Sequence, residues 1–330
     1  MMYSETTESK KFGRDECIKS VFLFLFNYAI FLAFIAFFIF FNTVYGADGG
    51  QNFAEYIQSN LSTLGYLAAS VFILFVVIYF YYIFEDKSFL AMMKNIELVF
   101  VLLGAALVIS YFFGVFFNVY ARPAALLALL ALMLLGRRDA ILLNVVFALL
   151  MFSIDHFSNY DPGEAYETAA YCFPVMAFSA GIIGFFVGSM VKTALRYFPP
   201  GVAVCLPVLI MASCIEYNKD EGIIVPLLYS LEGGVLSAVL FMALLPVFEV
   251  LFNCVTDYRL RELTDHDAPL MRELREKARG TFNHCSVVAH LAEACANDLN
   301  DTTAPAPAAA DSHSRAKHRH PRCLPHTPSV

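Results

Sequence analysis

The sequence has few charged residues and no tryptophan. Of its 330 residues, 59% are hydrophobic and 15% are charged, whereas soluble globular domains have about 45–50% apolar and about 25% charged residues. This composition excludes an ordinary soluble domain and indicates an integral membrane protein. Because Trp is absent, Tyr and Phe must supply any aromatic belt at the membrane interfaces.

The cysteines also lack a pattern. The eight Cys residues form no CxxC pair and have no regular spacing. Several lie inside apolar runs, where Cys behaves as a small hydrophobic residue. The sequence therefore predicts neither a disulfide framework nor a zinc site.

Long apolar runs predict eight membrane spans. After a polar tail, residues 1–20, the run Val21–Tyr45 is long enough to cross a bilayer, which takes about 20 residues. It is too long for the core of a signal peptide, so we interpret it as an uncleaved anchor. A short polar loop, residues 46–63, separates it from a seven-helix domain at 64–252. The seven spans are predicted at about Leu64–Phe84, Ile96–Tyr120, Pro123–Leu135, Ala140–Ile154, Ala169–Val191, Pro199–Ile215 and Ile223–Phe252.

The distribution of Lys and Arg predicts the orientation of these spans. With the N-terminus inside, the inner segments hold Lys10, Lys11, Arg14, Lys19, Lys87, Lys94, Arg137, Arg138, Lys192 and Arg196, whereas the outer loops hold Arg122 and Lys219. This asymmetry fits the positive-inside rule. It predicts a multi-pass protein with both termini in the cytoplasm.

Three features of the spans invite a functional or a structural interpretation. Gly184 and Gly188 share one helix face, which favours a close helix contact over a hinge. Glu249 lies about one turn before the last span ends, so it either reaches the interface or pairs with a cytoplasmic Arg. Four acidic residues cluster in or beside an outer loop, where a solvated loop is favoured over a cation site: Asp155, Asp161, Glu164 and Glu167.

Beyond the last span, charged residues become frequent and helical periodicity continues. Pro269 is typical of a helix start, and we expect this helix to run to Arg279 with Asp267 as its cap and Gly280 as its end. A second helix is predicted from about Thr281 to Leu299. One apolar face of that helix collects His284, Val288, Leu291 and Cys295. Taken alone, a histidine in such a face is more often a hydrogen-bonded core residue than a metal ligand.

Four short motifs cross this junction: LLPxFExLF at 244–252, TDxRLxELxD at 256–265, PL at 269–270 and GTFxH at 280–284. Together they resemble the bacterial seven-transmembrane HD-domain phosphohydrolases, which include cyclic di-AMP phosphodiesterases. The resemblance runs from about Leu64 to Leu299 and is specific only at the junction. It implies a bacterial cytoplasmic membrane protein whose last membrane helix leads into a cytoplasmic HD domain. It also implies that His284 is the first ligand of a two-metal centre that holds Mn or Fe.

The sequence departs from that pattern after His284. The family needs a later His-Asp dyad and a distal Asp, because two metals must share these ligands to generate a hydroxide nucleophile. The His266-Asp267 pair precedes His284, so we interpret it as a coincidence. After Asn300 the chain is rich in Ala, Pro, His and Arg, which predicts a disordered basic tail at 301–330. There His313, His318 and His320 could bind a transition metal loosely, but a solvated tail is favoured.

The predicted fold is all-α: an anchor helix and a seven-helix membrane bundle, then two helices of an incomplete HD domain at 253–300, then the disordered tail. Such a chain would keep His284 only as a vestigial ligand and bind no metal, which a frameshift or premature stop near Asn300 would explain. We therefore expect a catalytically inactive membrane protein, with an active cyclic di-AMP phosphodiesterase as the alternative. A transporter is disfavoured because internal repeats are missing. The expected partners are the lipid bilayer, a cyclic dinucleotide in the intact family and other copies of the chain, but not nucleic acid.

Overall fold

The computed structural model describes residues 14–45, 57–85, 89–90, 92–157, 164–190, 203–217, 222–252, 254, 269–280, 282–284, 286–288 and 291. Within these ranges the secondary structure is helical and contains no β-strand. The helices are α1 Arg14–Tyr45, α2 Leu61–Glu85, α3 Met93–Phe116, α4 Leu126–Leu134, α5 Arg137–Phe157, α6 Glu164–Met190, α7 Cys205–Glu216, α8 Ile224–Phe252 and α9 Pro269–Lys277. A 3-10 turn, Val119–Ala121, separates α3 from α4.

Six of the described helices are long and apolar enough to cross a membrane: α1, α2, α3, α5, α6 and α8. The predicted all-α membrane bundle is confirmed. The predicted span 140–154 is shorter than α5, which has 21 residues. The reason is that α5 begins at Arg137 and continues past Asp155, so its polar end residues extend the helix beyond the apolar run used to predict it.

The segment before α5 crosses the bundle although α4 has only nine residues. Arg122 contacts Asp155 near the end of α5, while α4 leads directly into the start of α5 at Arg137. At 1.5 Å per residue these two points of α5 are about 27 Å apart. The chain from 122 to 137 therefore covers this length partly as extended backbone. Such non-helical backbone is tolerated at membrane depth when protein surrounds it, and residues 119–131 are all buried.

A left-handed glycine ends α4. Gly136 has a φ of +122°, and its N–H donates to the carbonyl of Ala131 at 3.0 Å. A positive φ just after a helix is readily adopted only by glycine, and it ends the helix there. The turn reverses the chain within a few residues, so that α4 packs against α5 and α6.

The anchor helix packs against the bundle. In α1, the Phe38 ring stacks on Tyr111 of α3 with centroids 3.9 Å apart, and the Tyr111 hydroxyl donates to the Phe38 carbonyl at 3.1 Å. In the same helix, the Tyr28 hydroxyl donates to the carbonyl of Ala68 in α2 at 3.0 Å. Aromatic rings therefore supply much of the contact between α1 and its neighbours.

The chain separates into two compact units, and the bundle unit ends at Cys254. In the other unit, α9 begins at Pro269 as predicted but ends at Lys277. Gly280 does not end this helix, because Phe282 N donates to the Ala278 carbonyl at 3.0 Å and Gly280 itself is helical. The expected end was wrong because Gly280 lacks the positive φ of a glycine cap.

Several predictions fall outside the described residues. These are the N-terminal tail up to residue 13, most of the 46–63 loop, His266 and Asp267, and the predicted tail with His313, His318 and His320. In the predicted second helix, residues 282–284, 286–288 and 291 are described and are helical.

Candidate functional site

Two places carry candidate functional residues: a buried polar network at one end of the bundle, and the segment around His284. The network begins with the turn after α3. The Asn118 side chain accepts a hydrogen bond from Tyr120 N at 3.1 Å, which starts the 3-10 turn. Arg122 precedes Pro123 and adopts extended backbone, as residues before proline do. This local geometry places Tyr120 and Arg122 in the interior.

Arg122 forms a buried bidentate ion pair with Asp155 in the last turn of α5. Nη1 lies 2.5 Å from Oδ2, and Nη2 lies 2.9 Å from Oδ1. The side chains are 0% and 5% exposed. The planar guanidinium matches a carboxylate in this two-bond arrangement, which makes the contact strong and specific in direction.

Two further contacts surround the guanidinium of Arg122. It lies over the ring of Phe173 in α6, 5.0 Å from the centroid. On the α3 side, Gly114 leaves the space that Arg122 occupies, since a Cβ at Gly114 would approach Nη2 to 2.6 Å. Arg122 therefore joins α3, α5 and α6 to the turn before α4.

A second buried hydrogen bond ties the same turn to α7 and α8. The Tyr120 hydroxyl donates to Oε1 of Glu216, the last residue of α7, at 2.9 Å. Both residues are buried. In α8, Gly233 approaches the backbone of the turn so closely that a Cβ there would lie 2.7 Å from the Tyr120 carbonyl oxygen. The ends of α3, α5 and α7 thus meet α6 and α8 through the turn at 118–122.

This network corrects two expectations. We expected Asp155 to belong to a solvated loop, but its carboxylate is buried against Arg122. Arg122, counted as an outer-loop cation, is 1% exposed. The sequence did contain an indication of this pair: Arg122 lies within a long apolar stretch, FNVYARPAALL, where a charge needs a partner. Asp161, Glu164 and Glu167 lie outside the residues whose surroundings the structure describes.

The glycine prediction in α6 is supported at one of its two positions. A Cβ at Gly184 would lie 3.3 Å from Leu129 Cδ2 and 3.7 Å from Ala125 Cβ, so this glycine lies against α4. The surroundings of Gly188 are not among those described. The arrangement indicates a packing role at Gly184.

Cys254, two residues after the end of α8, is the last residue of the bundle unit. Its backbone N donates to the Glu249 carbonyl at 3.0 Å, and its side chain is 6% exposed. Burial raises the pKa of the Cys254 thiol, and the Glu249 carboxylate raises it further, while Lys94 acts in the opposite direction. The thiol is therefore neutral and unreactive near pH 7.

His284 lies on a helical segment and is exposed. The apolar residues predicted to share its face are also exposed: Val288 is 40% and Leu291 is 61% exposed. The structure does not describe Cys295.

The described residues bring together no set of ligands for a divalent metal centre. A binuclear site requires several shared carboxylate and imidazole ligands. Within the ranges that the structure describes, no group of three or more His, Cys, Asp and Glu side chains is placed to hold a metal ion. His284 thus remains a predicted ligand, and no chemical step can be derived through a metal from this geometry.

The fold defines a class: a polytopic helical membrane protein whose last long helix leads to a charged segment with helix α9. The family described as "7TM receptor with intracellular HD hydrolase" matches residues 57–256, more than half of the chain. The chain belongs to this family. The match covers α2 to α8 and ends two residues after Cys254.

Curated relatives agree with this assignment. The chain is similar to the cyclic-di-AMP phosphodiesterase PgpH of Listeria monocytogenes, with 39% identity over 71 residues, 22% of this chain and 10% of that protein. It is also similar to PgpH of Bacillus subtilis, with 26% identity over 213 residues, 62% of this chain and 28% of that protein. An uncharacterized Synechocystis protein is 41% identical over 73 residues, 22% of this chain and 9% of that protein.

The chain spans less than a third of the length of these relatives. No solved structure shows a significant match. The comparisons therefore establish the family and agree with the membrane bundle.

Proposed function

We propose that a polypeptide of these 330 residues is a non-catalytic membrane module of the 7TM–HD hydrolase family, which acts through its helix bundle and does not hydrolyse a phosphodiester itself. The main support is the coincidence of the family match with α2 to α8. The buried network at 118–122 ties α3, α5, α6, α7 and α8 into one arrangement.

The lack of hydrolysis follows from the ligands. The family implies chemistry with a divalent metal, Mn or Fe, and His284 in GTFxH matches the position of the first ligand. The sequence after His284 contains no His-Asp dipeptide. One histidine cannot hold two metals that share their ligands, so we propose that His284 is vestigial and that this polypeptide holds no binuclear centre.

We also propose the membrane and the orientation. The asymmetry of Lys and Arg between alternate loops supports a protein of the bacterial cytoplasmic membrane with both termini inside. In this orientation the network around Arg122 and Asp155 lies towards the outer face, and α9 and His284 lie in the cytoplasm.

The second candidate is an active cyclic di-AMP phosphodiesterase. The observation that favours it is the 39% identity over 71 residues to the cyclic-di-AMP phosphodiesterase of Listeria monocytogenes. The test is an assay of the purified chain with cyclic di-AMP and Mn²⁺, with release of the linear dinucleotide as the readout. We expect no product above a protein-free control. The control is His290→Ala, which removes a histidine six residues further along the chain. Hydrolysis that is lost in His284→Ala and kept in His290→Ala would overturn the proposal.

A further inference from the structure

The guanidinium of Arg137 lies at one end of the membrane-spanning part of the bundle, because Arg137 is the first residue of α5. It lies over the ring of Phe185 in α6, 5.9 Å from the centroid. The next residue, Arg138, instead pairs with Glu85 of α2. Arg137 is exposed, and none of the ion pairs between described side chains includes it. The two neighbouring cations therefore face different helices, and Arg137 is the one beside α6.

The Phe185 ring also lines an apolar cavity of about 200 Å³ between α4, α5 and α6. Asn144 of α5 is a polar residue in its wall, but Nδ2 donates to the carbonyl of Ala177 at 3.2 Å, so this amide fastens α5 to α6. Further lining residues are Ala140, Ile141, Phe178, Ile182 and Phe186. The cavity therefore offers apolar walls, and Arg137 supplies a positive charge beside one of them.

The cation and the cavity follow one another along one face of α5. Arg137, Ile141 and Asn144 are spaced by four and three residues, which places them on the same side of a helix. Ile141 is about 6 Å, one turn, further along α5 than Arg137. The cavity is open on its outer side, because Ile141, Phe178 and Phe186 are exposed on the surface of the bundle. A molecule that lies along α5 in the bilayer can therefore reach Arg137 with its polar end and the cavity with its apolar part.

We propose that Arg137 and this cavity together bind one phospholipid with a net negative headgroup. Its phosphate pairs with the Arg137 guanidinium, which matches two phosphate oxygens with parallel hydrogen bonds. One of its acyl chains enters the cavity from the side. An apolar cavity of about 150 Å³ holds benzene, so a cavity of about 200 Å³ takes a chain segment of about six to eight carbons.

The charge of Arg137 selects the headgroup. An uncharged lipid leaves the guanidinium without a counter-ion, and a zwitterionic lipid brings an ammonium group close to a like charge. One Arg at an anionic membrane surface gives about a fivefold preference for the negative lipid. The inference goes beyond the proposed function and holds whether or not the chain hydrolyses a cyclic dinucleotide.

The absence of tryptophan from the chain provides a direct test, because one introduced Trp is then the only indole that fluoresces. Phe186→Trp places this reporter in the cavity wall. The purified full chain is reconstituted in vesicles of phosphatidylcholine and phosphatidylglycerol, in which either one or the other carries brominated acyl chains that quench the fluorescence. We expect phosphatidylglycerol to bind at this position about five times more tightly than phosphatidylcholine. The control reporter Ile210→Trp, on the exposed face of α7, should show no preference.

Variants made together with Phe186→Trp assign the preference to one side chain. Arg137→Gln should reduce the ratio of the two lipid affinities to about one, and Arg137→Lys should keep part of it. Arg138→Gln, the matched control, should leave the ratio unchanged, because Arg138 is directed towards Glu85. Circular dichroism and size-exclusion chromatography check that each variant is folded.

An excess of inorganic phosphate distinguishes a lipid from a free anion. It should leave the ratio unchanged, because the acyl chain is part of what is bound. Loss of the preference in free phosphate would show a simple anion site and overturn the proposal. So would a ratio near one with the native Arg137, an equal preference at positions 186 and 210, or a preference that persists in Arg137→Gln.

Discussion

Arg122 and Asp155 are paired across 33 residues by two hydrogen bonds, and neither side chain is more than 5% exposed. The pair fastens the turn before α4 to the last turn of α5. An ion pair so deeply buried gains little net stability over a well-packed apolar pair, because both charges lose their hydration. Its main effect is on geometry, because the two hydrogen bonds fix the orientation of the turn before α4 relative to the last turn of α5.

Removal of one partner of this pair should therefore be far more costly than removal of both. Asp155→Ala leaves the Arg122 guanidinium buried without its carboxylate, and we expect the free energy of unfolding to fall by about 3–5 kcal/mol. The double variant Arg122→Met, Asp155→Leu should recover most of that loss. Equilibrium unfolding in mixed micelles measures both effects.

The exposed pair of Arg138 and Glu85 is the matched control. Its side chains are 79% and 41% exposed, so Glu85→Ala should change the unfolding free energy by less than about 1 kcal/mol. If Asp155→Ala and Glu85→Ala lowered the free energy of unfolding by similar amounts, the Arg122–Asp155 pair would not be buried as described.

A glycine in α8 provides a second test of the packing. Gly233→Ala places a Cβ against the carbonyl oxygens of Tyr120 and Arg122, and backbone atoms cannot move aside cheaply. We expect a loss of about 1–3 kcal/mol, typical of overpacking. Gly65→Ala in α2 is the control, because a Cβ there meets nothing within 4 Å and Ala favours a helix. If Gly233→Ala were as harmless as Gly65→Ala, the contact between α8 and the turn would be disproved.

The orientation can be tested with single cysteines. Ser59→Cys lies before α2 and Lys277→Cys ends α9, and both positions are exposed. In a variant free of native cysteines, a membrane-impermeant maleimide added to intact spheroplasts should label position 59 and spare position 277. After the cells are lysed, both should react. Labelling of position 277 in intact cells would place α9 outside and reverse the proposed topology.

The sequence predicted the helices well and the network poorly, for physical reasons. Apolar runs locate α1 to α8 because hydrocarbon requires each crossing to satisfy its own backbone. The contact between Tyr120 and Glu216 depends on which helix ends meet, and these residues are 96 positions apart. Local periodicity carries no such information. His284 was found only because the GTFxH motif resembles a family pattern, and its predicted role remains a prediction.

Asn144 is a second case in which the sequence predicts the helix but not the contact. Its place in the apolar run of α5 is plain in the sequence, but its amide orientation depends on carbonyls of α6 and on the missing side chain of Gly181. The orientation of this amide could not be predicted before the packing of α5 on α6 was known.

Metal analysis of the purified chain tests most directly whether these residues form a binuclear centre. Protein expressed in medium with added Mn and Fe, passed through a desalting column and analysed by inductively coupled plasma mass spectrometry, should contain well below one metal per chain. His284→Ala should leave that content unchanged. Two tightly bound metals per chain that are lost in His284→Ala would contradict the account and make the chain a metallohydrolase.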